Sequence, residues 1–77
     1  MVEVPAFVFE YSGPDAAAPD GWRHIRIVAR AASLNKAFGL ATTFAPTSGM
    51  VLTDRGGLAC ELADREGLAP GEARIVG

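Results

Sequence analysis

The sequence predicts a small α+β domain of element order β-β-α-β-α-β, an N-terminal antiparallel hairpin packed by two short helices. Three observations carry that reading. Residues 2–11 and 22–30 alternate with the period of two expected of strands. Residues 34–45 and 54–66 instead repeat apolar side chains at spacings of three and four, the period of a helix with one buried face. Clusters of Gly, Pro, Ser and Asp separate these runs. At 77 residues the chain is a single domain, 1–77.

The first strand spans 2–11. Val2, Val4, Ala6 and Val8 share one face and Phe7, Phe9 and Tyr11 the other, so both faces ask for cover. Pro5 removes a ladder donor and pulls the other way, toward an edge or a bulge. A partner chain over the start of the strand would reconcile the two. Residues 12–21, S-G-P-D-A-A-A-P-D-G, form a loop of turn chemistry, read as a mobile tip in preference to a single helical turn begun by Pro14 and Asp15.

The second strand spans 22–30, antiparallel to the first. Arg23, Ile25, Ile27 and Ala29 fall on one side, and Trp22, His24, Arg26, Val28 and Arg30 on the other. A single helix from about Arg26 to Phe44 is the competing reading. The β-branched Ile25, Ile27 and Val28 favour the strand.

Ser33 is placed to cap a helix over 34–45, whose stripe is Leu34, Ala37, Phe38, Ala41 and Phe44. Pro46 disfavours helical geometry at the residue before it and sets the end. A turn at Thr47-Ser48-Gly49 leads to a short strand, 50–53. Thr53 or Asp54 then caps a helix over 54–66 that buries Leu58, Ala59, Leu62 and Ala63. Gly67 stands where a left-handed terminating residue belongs, Leu68 follows as its hydrophobic contact, and Pro70 bars continuation. The last strand is 73–76.

Hydrophobic residues make up 49% of the chain, too many for a disordered tail, yet 14 of the 38 are Ala, which bury little each. Cys60 is alone, so no disulfide is available, and with His24 it cannot complete a zinc site. A chain this short with no covalent or metallic staple is expected to gain stability by self-association, as a homodimer or higher oligomer built through the first strand or the last. No secretory pattern and no run of 18 apolar residues occurs, so the expected setting is cytoplasmic, without a membrane partner. Six Arg against one Lys, with abundant Ala and Gly, suggests a GC-rich bacterial or phage source.

The net charge of −2 is unevenly spread. Residues 1–20 are acidic, residues 21–40 carry Arg23, Arg26, Arg30 and Lys36 with no acid, and the remainder is mildly acidic. The basic middle holds the strongest candidate site: Trp22, Arg23, His24, Arg26 and Arg30 on or beside one strand. Trp and Arg are favoured anchors at protein interfaces, and the same strip could meet phosphates or stack a base. The acidic total ranks a protein partner above nucleic acid. Read plainly, the strip is a solvated sheet face, with Glu3 and Glu10 as cross-strand partners.

The other constellations are weaker. A Cys60 thiolate activated by His24 would need a base within reach, whereas Cys60 sits on a helix stripe beside Glu61 and reads as a structural thiol. Asp54, Glu61, Asp64 and Glu66 read as a solvated helix face. Gly56-Gly57 lacks the wider pattern of a phosphate loop. No cofactor, metal site or catalytic set is expected. Val51-Leu52-Thr53-Asp54-Arg55-Gly56 running into Leu58 and Leu62 resembles the strand-to-helix step closing the wing of MarR-type winged-helix repressors. That resemblance spans about a dozen residues, and the N-terminal strand pair departs from the family's all-helical start, so no family is assigned. The expected function is a non-enzymatic oligomerising interaction module, a regulator, inhibitor or assembly subunit. A nucleic-acid-binding regulator is the first alternative and a small enzyme subunit the second.

Overall fold

An opening strand with two apolar faces needs a layer on each, and the fold supplies both. A computed structural model describes residues 4–76. They form β1 (Ala6–Pro14), β2 (Trp22–Arg30), α1 (Leu34–Ala41), β3 (Met50–Arg55), α2 (Gly57–Arg65) and β4 (Glu72–Val76), an α+β domain with the element order β-β-α-β-α-β. The four strands make one antiparallel sheet in the order β3-β1-β2-β4, with α1 and α2 on opposite faces.

The β1–β2 register sets Phe7, Phe9 and Tyr11 against Ala29, Ile27 and Ile25 on the α1 face. Ala6, Val8 and Glu10 face Arg30, Val28 and Arg26 on the α2 face. The α1-side core joins Phe9, Tyr11 and Ile27 to Phe38, Leu40, Phe44 and Leu52, with the Phe9 and Phe38 rings edge to face at 5.7 Å. The α2-side core is smaller, built on Val8, Val28 and Leu68. Each helix meets the sheet through fully buried alanines, Ala37 and Ala41 on α1, Ala59 and Ala63 on α2. Residues that bury little area individually thus let the helix axes come close to the sheet, so larger neighbours interdigitate.

β1 is interior, hydrogen-bonded to β2 on one side and β3 on the other. The conflict raised by Pro5 is settled within the chain: Pro5 stands just before β1, where its missing N–H costs no ladder bond, and its carbonyl accepts from Ala31 N at 3.2 Å. Over Phe7–Tyr11, β1 is paired along both edges, so that stretch offers no edge for pairing with another chain. Val2 and Glu3, placed at the start of the first strand by the sequence, lie outside the described residues.

Several boundaries differ from the sequence expectation, each for a local reason. Ser12–Pro14, assigned to the loop, continue β1, because Tyr11 lies over Gly13 where any Cβ would collide with its hydroxyl end. The loop shortens to Asp15–Gly21 and is closed by backbone bonds from Ala18 N to Asp15 O and from Gly21 N to Ala18 O, with Asp15 Oδ1 accepting from Ala17 N. Helix α1 ends at Ala41, not 45. The Thr42 and Thr43 hydroxyls donate to Gly39 O and Leu40 O at 2.8 and 2.7 Å, and the chain tightens to three-residue bonds at Thr43 and Phe44.

β3 runs on through Asp54 and Arg55. Asp54 therefore belongs to the strand, where Oδ1 accepts from Arg55 N, and Gly56 (φ +96°) is the residue before α2. The register shift at Val8/Phe9 makes Thr53 a bulge, its hydroxyl donating to Val8 O. Helix α2 closes as a Schellman motif: Gly67 is left-handed (φ +68°), Gly67 N donates to Asp64 O, Leu68 N donates to Ala63 O, and the Leu68 side chain is buried.

Ser33 caps α1 through Oγ, which accepts from Lys36 N at 3.3 Å. Ser33→Ala is expected to lower stability by about 0.5–1 kcal/mol, the low end for a lost cap because this bond is long and exposed. A shift in the urea midpoint at unchanged slope measures it, and a midpoint equal to wild type would show that the cap contributes nothing.

Candidate interaction surface

Strand alternation puts Trp22, His24, Arg26, Val28 and Arg30 on the α2 face of β2, but a nine-residue helix covers only part of that face. Under α2 lie Ala6, Val8, Val28 and Arg30, all buried. Outward from there the face is bare: Ser12, Pro14, Trp22, His24 and Arg26 are exposed and Glu10 half-buried. The opposite face is covered nearer the hairpin tip, because Ile25 with Phe44 and Met50, beyond the end of α1, pack against the core that holds Tyr11. The hairpin therefore carries one clad face and one open one.

The five candidate residues separate into three groups. Trp22, His24 and Arg26 share the open half-face, with Trp22 53% exposed. Arg23 stands opposite Gly13 on the α1 side. Arg30, expected to face a partner, is 5% exposed beneath α2. Its Nη1 donates to Val4 O at 2.9 Å and its Nη2 to Asp64 Oδ1 at 2.7 Å, so it serves the fold. Pairing supplies the reason: Arg30 lies opposite Ala6, the one small residue at the buried end of the strip, and α2 crosses there.

His24 Nε2 lies 2.9 Å from Glu10 Oε1, on the diagonal of the β1–β2 ladder. Glu10 is the cross-strand acid foreseen from the sequence; Glu3, the other, lies outside the described residues. Beside them, Glu10 and Arg26 with Asp54, Val8, Leu58 and Leu62 line a cleft of about 180 Å³ at the start of α2. One oxygen of Asp54, Oδ2, is buried in the structure with no hydrogen-bond partner among the described residues.

Two residues missed by sequence reasoning complete the surface. Val51 pairs with Glu10 and so joins the open face, and Leu58 rims the cleft; each is 59% exposed. Leu58 was assigned to the buried stripe of the second helix. It stands in the first turn of α2, where it lines the cleft with Thr53 and Asp54. The signal that could have marked Val51 was its place in a strand whose alternation shifts at Thr53.

The remaining constellations do not assemble. Cys60 packs with Leu62 and Val76 against the α2-side core, while His24 is exposed and bonded to Glu10. Asp64 and Glu66 pair with Arg30 and Arg74. Among the described residues no three of His, Cys, Asp and Glu gather as a metal-holding group, and no helix is long and apolar enough to cross a membrane. Comparison with protein-family models, with curated proteins and with solved structures finds no match.

Proposed function

We propose that this chain is a non-enzymatic, oligomerising interaction module that docks a protein partner on the open half-face of its sheet. The observation that carries the reading is Trp22, a large aromatic left 53% exposed in a patch that also holds Pro14, Val51, Leu58 and Arg26. Tryptophan and arginine are the residues whose truncation most often costs binding energy, and a mixed apolar and charged rim suits a protein surface. A phosphate-tracking strip fits poorly. Arg30 is internal, Arg23 faces away, His24 is met by Glu10, and Arg26 alone keeps its charge on the face.

The test compares baits in a lysate of the source cells: wild type, Trp22→Ala and Arg26→Glu, with and without nuclease. A protein retained by wild type after nuclease treatment is then purified and titrated into wild type and each variant by calorimetry, because Trp22→Ala removes the chain's one tryptophan. The expected result is a loss of about 2 kcal/mol, near 30-fold, for Trp22→Ala. Stability should change by no more than about 0.5 kcal/mol, since the side chain is exposed. Unchanged affinity for Trp22→Ala, or binding carried only by nucleic acid and lost steeply with salt, would overturn the reading.

A further inference from the structure

With β1 interior, the sheet has two outer strands, β3 and β4, and they are built differently. β3 carries the bulge at Thr53 and the in-turned Asp54, devices that discourage pairing with another chain. β4 pairs with β2 in unbroken register from Arg26–Val76 to Arg30–Glu72, has no Pro or bulge, and exposes Ile75 at its rim (39%).

A second copy meeting this edge about a two-fold axis perpendicular to the sheet pairs residues from the same face, so only a few registers are open. Centring on Arg74 sets two guanidiniums against each other, and centring on Glu72 does the same with two carboxylates. Centring on Ala73 places each Glu72 opposite the partner's Arg74, giving two opposite-charge pairs. Glu72 Oε1 accepts from Ala69 N and Arg74 Nη1 donates to Glu66 O, so both side chains are held against the α2–β4 connection, leaving Glu72 Oε2 and Arg74 Nη2 to meet across the axis.

The same register carries an apolar match. It brings the partner's Ile75 across from Gly71. Gly71, with Pro70, Ala31, Leu40 and Gly39, lines a groove of about 500 Å³ on the α1 side, the side on which Ile75 also lies. An exposed apolar side chain thus meets an apolar recess, twice by symmetry.

We propose that the chain forms a two-fold homodimer by antiparallel β4–β4 pairing centred on Ala73, joining two sheets into one of eight strands. The inference rests on the oligomeric reading given above and names its edge and register. Both open half-faces then lie on the same side of the joined sheet, and a partner with two sites could bridge them.

Sedimentation of the full chain from micromolar to millimolar concentration tests it, with circular dichroism checking each variant's fold. Glu72→Arg and Arg74→Glu alone each create like-charge pairs and should raise the dimer dissociation constant about tenfold or more; mixed, they restore opposite pairs and should recover the dimer. In a Cys60→Ala background, Ala73→Cys should oxidise to a covalent dimer and Arg74→Cys should not, because directly opposed residues lie about 4.5–5.5 Å apart at Cα. A wild-type dimer whose charge variants remain dimeric alone, or whose Ala73→Cys form fails to cross-link, overturns this edge and register while oligomerisation stands. A wild-type chain that remains monomeric throughout overturns both.

Discussion

Phe9→Ala is expected to lower the unfolding free energy by about 3–5 kcal/mol, the range for truncating a buried aromatic. Phe9 is 1% exposed and among the three largest fully buried side chains, with Ile27 and Val28. It stands in the middle of the interior strand, opposite Ile27 on β2 and Leu52 on β3, and its ring meets Phe38 of α1 edge to face at 66°. Removing it opens a cavity bounded by three strands and a helix. The layer cannot collapse to fill it, because Ala37 and Ala41 already hold α1 close to the sheet. Domains carry a total of about 5–15 kcal/mol, so the variant would lose a large fraction of its stability. Urea unfolding followed by the emission of Trp22 measures the change. A loss below about 1 kcal/mol would mean that the α1-side core does not hold the sheet together. Phe9→Leu, which keeps most of the volume, should cost less than half as much.

How far this arrangement was legible in the sequence depends on which residues are asked. The two apolar faces of residues 2–11 asked for a strand covered on both sides, against the edge signal of Pro5, and Gly67-Leu68-Pro70 marked the end of α2, since both are local demands of side-chain chemistry. The order β3-β1-β2-β4 was not legible, because nothing in β3 or β4 alone says which side of the hairpin it joins. The Thr42–Thr43 ending of α1 was misread because Pro46 is the louder signal, whereas two hydroxyls returning to Gly39 and Leu40 end the helix a turn earlier. The candidate strip shows the same limit. Alternation placed Trp22, His24, Arg26 and Arg30 on one face, but periodicity cannot say how far along that face a helix from elsewhere will reach. The length of α2 and its crossing over Ala6 and Val28 divide the strip into an open half and a closed half.

Arg30 lies in the closed half, and its variants should separate packing from charge. Arg30→Ala is expected to cost about 2–4 kcal/mol. It removes a long side chain buried to 5% exposure and strips Val4 O of its donor, loosening the segment that leads into β1. The ion pair itself should account for the smaller part of this. The Asp64 side chain is 69% exposed and rehydrates when Arg30 is removed, whereas Asp64→Ala takes a carboxylate from the buried guanidinium and should cost about 1–2 kcal/mol, more than a surface pair but less than Arg30→Ala. Arg30→Met keeps the apolar stem but, like Ala, cannot donate to Val4 O, so it should cost about 1–2 kcal/mol, the part of the loss that is not packing. The order Arg30→Ala well below Arg30→Met and Asp64→Ala, read from urea midpoints, is the discriminating result. If Asp64→Ala were as damaging as Arg30→Ala, the salt bridge would hold α2 to the sheet and the packing argument would fail. The same variants bear on function. Arg30→Met leaves the open half-face intact and should bind a partner as wild type does. Trp22→Ala should do the reverse, keeping stability and losing affinity, so one strand would carry a structural arginine and a recognition tryptophan eight positions apart on the same face.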